Sequence, residues 1–270
     1  MQELGNHVFE TLTHALHEGV ATLTLNRPAV KNAINRQMGE ELGDYFEAIG
    51  RDASVRVLLM RGAGQDFCAG GDVSGMSTGD ARTPAQARID MQRYRRLTLA
   101  LHDLDKPVVA CVDGVAYGAG FSLALLADLV LVSDRARLSM AFQRVGLLPD
   151  CGALYTLPRI VGLQRAKELM FSGRVLGGAE ACALGIAMEM VPAAELAARA
   201  EAVAHSLAGA SPIALSLGKR ALDCSLGNTL AAMLEIEASG QAIALGSDYL
   251  AESRRRFLAK EPPQFQWPNP

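Results

Sequence analysis

The stretch KPVVACVDGVAYGAGFSLALLAD, residues 106–128, contains one unit of the fold in miniature. Lys106-Pro107 leads into an apolar run, Val108 to Val112, that reads as a buried strand. The glycine-rich segment Asp113 to Gly120 turns the chain, and Ala119 to Ala127 then reads as a helix. Leu129 to Ser133 is extended once more.

The same alternation appears upstream. Gly19 to Leu25 is rich in β-formers and closes at Asn26-Arg27-Pro28. Arg36 to Arg51 places Met38, Leu42, Tyr45, Phe46 and Ile49 at helical spacing. Val55 to Met60 predicts a buried strand, and Pro84 to Leu104 a helix. Strands alternating with helices point to an α/β fold with largely parallel strands. After Pro192 the pattern changes. Segments Ala193–Gly209, Pro212–Leu226, Thr229–Leu245 and Asp248–Leu258 follow one another with no strand between them. We therefore divide the chain into an α/β core, residues 1–192, and a helical region, residues 193–270. The helical region carries more apolar faces than it can cover itself; packing against the α/β core or another subunit would cover them, and an oligomer is expected.

With 270 residues, 50% of them hydrophobic, the chain is long enough for a sizeable core. A net charge of −3 gives no reason to expect a nucleic-acid partner. The basic clusters Arg93, Arg95, Arg96 and Arg254 to Arg256 read as solvated helix faces. Five cysteines, widely spaced and without a CxxC pair, indicate neither a disulfide framework nor a zinc site. The first ten residues have no signal-peptide pattern, and no apolar run is long enough for a membrane span. A cytoplasmic setting is the default. His7, His14, His17, His102 and His205 are not spaced as metal ligands and read as structural.

Two glycine-rich turns, each after an apolar strand, hold the candidate chemistry. One is Phe67-Cys68-Ala69-Gly70-Gly71-Asp72; the other is Asp113 to Gly120. Small residues let a ligand approach the backbone. At a helix start, N–H groups without internal partners favour an oxygen that becomes negative during reaction. Either turn could also be a plain strand-to-helix connection. Gly62-Ala63-Gly64 lacks the third glycine of a dinucleotide site, and no P-loop ending occurs. A third element is Gly146-Leu147-Leu148-Pro149-Asp150-Cys151-Gly152. Apolar surroundings would raise the Asp150 pKa and strengthen it as a base. Alternatively, Asp150 caps the helix beginning near Gly152.

Together, FCAGGD, residues 106–128 and the Asp150 segment resemble the crotonase (enoyl-CoA hydratase/isomerase) superfamily. The similarity extends from LNRPAVKNAI, residues 25–34, to FLAKEPPQF, residues 257–265. It implies a spiral of repeated β-β-α units and a C-terminal helical trimerisation region, giving a homotrimer or dimer of trimers. It further implies an acyl-CoA substrate, with coenzyme A as part of that substrate and no other cofactor.

By that resemblance the oxyanion N–H donors are those of Gly71 and Ala119. Lys31, Ala33, Ala69, Asp72 and Val73 match the region that binds the adenine nucleotide end of CoA. Phe257 and Lys260 match a C-terminal pair that reaches CoA, while Tyr117, Phe142 and Pro149 fall in the substrate-binding segments. The two glutamates with which hydratases position water are replaced here by Ser122 and Phe142. A phenyl ring cannot deprotonate water, and serine is a poor base. Asp150 matches the catalytic aspartate of dienoyl-CoA isomerases, chlorobenzoyl-CoA dehalogenases and ring-1,2-epoxyphenylacetyl-CoA isomerases, and residues 140–162 look most like the last. An isomerase with Asp150 as acid/base is the expectation. Alternatives are a hydratase with a reorganised site, a dehalogenase-like substitution, or a CoA-binding homologue without catalysis. The segment Met76 to Tyr94 is expected to cover the acyl chain, with Met76, Ile89, Met91 and Tyr94 as candidates.

Overall fold

A computed structural model describes residues 8–75 and 83–269. The chain begins with the hairpin β1 (Leu12–His17) and β2 (Val20–Leu25), followed by α1 (Arg36–Arg51), β3 (Val57–Gly62) and α2 (Pro84–His102). Next come β4 (Val108–Val112), β5 (Val115–Tyr117), α3 (Ala119–Ala124), β6 (Leu129–Ser133) and β7 (Arg137–Ser139). Helices α4 (Ala153–Val161) and α5 (Leu163–Ser172) precede β8 (Leu176–Gly177), α6 (Gly178–Ala183) and β9 (Glu189–Val191). Four helices end the chain: α7 (Ala193–Ala208), α8 (Pro212–Ser225), α9 (Leu230–Leu245) and α10 (Asp248–Ala259).

The strands form a six-stranded sheet, ordered β1-β2-β3-β4-β6-β9, and a three-stranded one, ordered β5-β7-β8. Apart from the β1–β2 hairpin, pairing in the larger sheet is parallel. Successive strands alternate between sheets: β4 joins the large one, β5 the small one, and α3 follows; β6 and β7 repeat the step. This is the expected spiral of β-β-α units.

Continuous apolar runs occur because both sheet faces are buried. Along β3, Leu58 and Met60 face a core with Leu42, Tyr45, Phe46 and Ile49 of α1. Val57 and Leu59 lie on the other side with Val20, Val109 and Leu131, under Leu196, Ala200, Val203 and Leu207 of α7. Helix α7 thus closes the second face of the sheet. Within α8, α9 and α10, by contrast, no residue is buried. Leu230 remains 76% exposed and Phe257 81%. Both basic clusters are largely ion-paired on helix faces, Arg96 with Asp44 and Glu47, Arg255 with Glu252 and Glu261.

Two local readings change. Helix α3 stops at Ala124 rather than Ala127, because the backbone tightens to three-residue bonds at Leu126 and Ala127. The glycine-rich segment 113–120 is not all turn, since β5 sits inside it. Among the described residues, no helix is long and apolar enough to cross a membrane.

Candidate functional site

The two glycine-rich turns are joined by their backbones. Cys68 donates to Val115 O at 2.9 Å, Tyr117 donates to Cys68 O at 2.9 Å, and Phe67 donates to Asp113 O at 2.8 Å. The Asp66 carboxylate adds a bond from the N–H of Val115. Contact is close enough to require glycine. A Cβ on Gly70, which has φ +96°, would stand 2.7 Å from Tyr117 O and 3.4 Å from Ala119 N. On Gly120 it would stand 2.2 Å from Cys68 O. These glycines are where the two chain segments meet, which is why neither turn is merely a short connection.

Each turn has an N–H without a backbone acceptor among the described residues, at Gly71 and at Ala119. The backbone of Ile34 pairs with Gly70 O and with the N–H of Asp72, on either side of Gly71. Ala119 is the first residue of α3, where no intrahelical acceptor exists. Among the described residues, neither Gly71 N nor Ala119 N has a backbone acceptor. Both residues line one cavity of about 1300 Å³.

Asp150 lines the same cavity. It precedes a tight turn in which Cys151 (φ 49°) and Gly152 (φ 79°) are both left-handed. Gly152, not Asp150, is the N-cap of α4, and no side chain caps that helix. The capping role therefore does not explain Asp150. Its Oδ1 is buried without a hydrogen-bond partner among the described residues. Burial pushes the carboxyl up to about 6, and the neighbouring Cys151 thiol and the residue's own N–H offset only part of this. A carboxyl with that pKa can take up and return a proton near neutral pH.

Ser122 and Phe142 occupy very different places. Ser122 is fully buried, and its hydroxyl donates to Gly118 O at 3.1 Å. It does not line the cavity, whereas Phe142 does, with its ring 3.8 Å from where a Cβ of Gly118 would be. A water beside this ring would find no acceptor on it.

Ala69, Asp72, Val73, Tyr117 and Pro149 also line the cavity. Lys31, Ala33, Phe257 and Lys260 do not. Lys31, exposed and left-handed, lies 3.9 Å from Asp66. Ala33 is tied to Asp72 through Arg27, whose Nη1 donates to Ala33 O at 2.5 Å and to Asp72 Oδ2 at 2.8 Å. Hydrogen bonds from Ser74 and Arg27 hold the Asp72 carboxyl below its usual range. Phe257 and Lys260 lie at the C-terminal end of α10, away from this cavity. Of the candidate acyl cover, Met91 and Tyr94 line the cavity and Ile89 does not; Met76 lies outside the described residues.

Several contributors went unrecognised in the sequence. Asn32 is wholly buried, and its amide group bonds Ala63 O, Asp66 O and the N–H of Arg27. It pins the 27–33 loop against the 63–66 segment that leads into the first glycine turn. Arg144 stacks over the Tyr117 ring at 5.7 Å and donates to Gly173 O. The stretch LNRPAVKNAI carried Arg27 and Asn32 in plain view, but their partners are remote in sequence.

The profile of the enoyl-CoA hydratase/isomerase family matches residues 15–268. The chain is 37% identical over 259 residues to a 1,2-epoxyphenylacetyl-CoA isomerase of Escherichia coli, covering 96% of this chain and 99% of that one. It is 35% identical to a probable enoyl-CoA hydratase of Rhodobacter capsulatus, covering 95% and 98%. A crystal structure of an enoyl-CoA hydratase/isomerase from Cupriavidus metallidurans superposes with a TM-score of 0.92 at 40% identity, covering 98% and 99%. With so nearly complete a match in sequence and in fold, the chain belongs to the enoyl-CoA hydratase/isomerase family, the crotonase superfamily.

Proposed function

We propose that this acyl-CoA enzyme is an isomerase in which Asp150 moves a proton while the N–H groups of Gly71 and Ala119 hold the thioester oxygen. The observation that carries this reading is a buried, unpartnered carboxylate oxygen on a cavity shared with both N–H groups. As an α- or γ-proton leaves the acyl chain, charge builds on the thioester oxygen. Donors placed for that charge act most strongly at the transition state. Asp150 then returns the proton at another carbon, shifting a double bond, or assists opening of an epoxide on a ring-bearing acyl group. The relative from Escherichia coli named as a 1,2-epoxyphenylacetyl-CoA isomerase supports the second variant.

Water addition is the weaker reading, because Ser122 is buried in an internal bond and Phe142 offers no acceptor. No metal or redox cofactor enters this scheme. Lys31, Ala33, Asp72 and Val73 belong to the CoA side of the site. Phe257 and Lys260 reach CoA only if α10 of one chain approaches the site of another. The unburied α8–α10 favour a trimer or dimer of trimers that covers them. All five cysteines are free thiols, which suits the cytoplasm.

Screening 3-enoyl-, 2-enoyl- and epoxyphenylacetyl-CoA against wild type and Asp150→Asn tests the proposal. Isomer formation that depends on Asp150 is expected. Rapid hydration of 2-enoyl-CoA by the Asn variant would overturn it.

A further inference from the structure

Outside the residues that line the cavity, the hairpin turn between β1 and β2 meets the last turn of α7. There His17, Glu18 and His205 each offer a ligand atom, and these atoms all lie within 4.8 Å of one another. The two imidazole rings stand edge to face with centroids 5.5 Å apart. His205 Nδ1 is 4.0 Å from Glu18 Oε2. In sequence these histidines looked unrelated, because one sits on a strand end and the other on a helix near the opposite end of the chain. The sheet-covering position of α7 brings them together.

We infer that His17, Glu18 and His205 form a binding site for a borderline divalent cation of the zinc type. Two imidazole nitrogens and a carboxylate oxygen are a favoured donor set for Zn²⁺, at ligand distances of about 2.0–2.2 Å, with water completing the tetrahedron. A hard cation such as Mg²⁺ or Ca²⁺ would find a single carboxylate here and poor partners in the imidazoles. Small rotamer changes suffice to draw the three donors in, since all three side chains lie at the surface or half-buried.

The backbone beneath them is firmly set. Glu18 (φ 46°) and Gly19 (φ 81°) form a two-residue turn in which both central residues are left-handed. Such turns favour Asn, Asp or Gly at the first position, and a glutamate there stores strain. That strain is intelligible if the Glu18 carboxylate serves a ligand. Gly19 O accepts from the N–H groups of both Arg56 and Val57. Arg56 in turn donates to Ala210 O at 2.7 Å, just beyond the end of α7. The hairpin turn and the last turn of α7 are therefore held to one scaffold before any ion binds. A bound cation would staple the edge hairpin of the large sheet to the helix that covers its second face.

The test is isothermal titration of Zn²⁺ into chelator-treated full-length protein, beside His205→Gln and Glu18→Gln. A single equivalent per chain is expected for wild type, lost in His205→Gln and weakened in Glu18→Gln. The thermal unfolding midpoint should rise with Zn²⁺ in wild type and not in His205→Gln. His17→Gln provides the same comparison should His205→Gln fold poorly by circular dichroism. Absence of binding, or binding that survives in both histidine variants, would overturn the assignment.

Discussion

The Ser122 hydroxyl donates to the carbonyl oxygen of Gly118 at 3.1 Å, so it is spent inside the very turn that presents Ala119 to the cavity. Serine closes the first turn of α3. Its deletion is a matter of stability. Ser122→Ala is expected to cost about 0.5–1.5 kcal/mol in denaturant unfolding, with turnover within about twofold of wild type. A drop of a hundredfold in turnover would mean that Ser122 takes part in the chemistry.

Gly70 is one of the two glycines at which the turns meet most closely, the other being Gly120. Gly70→Ala places a methyl 2.7 Å from Tyr117 O at a residue with φ +96°. Backbone strain of this kind is worth on the order of 1–3 kcal/mol. Because relief must come from the segment bearing Gly71 and Ala119, turnover is expected to fall together with the unfolding midpoint. A variant as active and as stable as wild type would show that the turns are not so tightly seated.

Arg27 ties the 31–33 segment to Asp72 through Ala33 O and the Asp72 carboxylate. Arg27→Met frees both. With two charge-assisted bonds lost in a half-buried place, KM for the acyl-CoA is expected to rise severalfold while kcat changes little. Steady-state kinetics with a fixed acyl group separates the two. A loss confined to kcat would point to the reacting end of the substrate instead.

Asp150 gives a prediction in the opposite direction for stability. Its folded pKa, raised to about 6 from 3.8, means that the folded protein binds this proton more tightly than the unfolded chain. Stability from this group is present below the unfolded pKa and is lost as pH rises through about 6. Asp150→Asn removes the penalty of the buried charge. At pH 7.5 it is expected to stabilise the protein by up to about 3 kcal/mol while lowering turnover. The gain should vanish near pH 4. Denaturant unfolding at the two pH values reads it.

The elements with long periodic patterns were legible in the sequence. Helix α1 runs from Arg36 to Arg51, as the spacing of Met38, Leu42, Phe46 and Ile49 requires. Both glycine turns and Asp150 were legible because glycine and a lone carboxylate stand out against apolar neighbours. Strands of two or three residues, β5, β7, β8 and β9, were not, since so short a segment has no period to detect. Nor was the capping question about Asp150 decidable, because an Asp three residues before a helix looks the same whether or not its side chain turns back. The buried Asn32 and the pair His17 and His205 depend on partners far along the chain, which no local pattern records.

The proton carrier is the central claim, and proton exchange tests it most directly. With the acyl-CoA that the substrate screen identifies, turnover in D₂O should place deuterium at the carbons between which the double bond or ring opening moves, read by NMR. Replacing Asp150 with Asn should slow both exchange and isomerisation by about 10²–10⁴-fold, and the wild-type rate should rise with pH through about 6 as the carboxyl ionises. Exchange at the wild-type rate in Asp150→Asn would contradict the assignment of Asp150 as the acid/base.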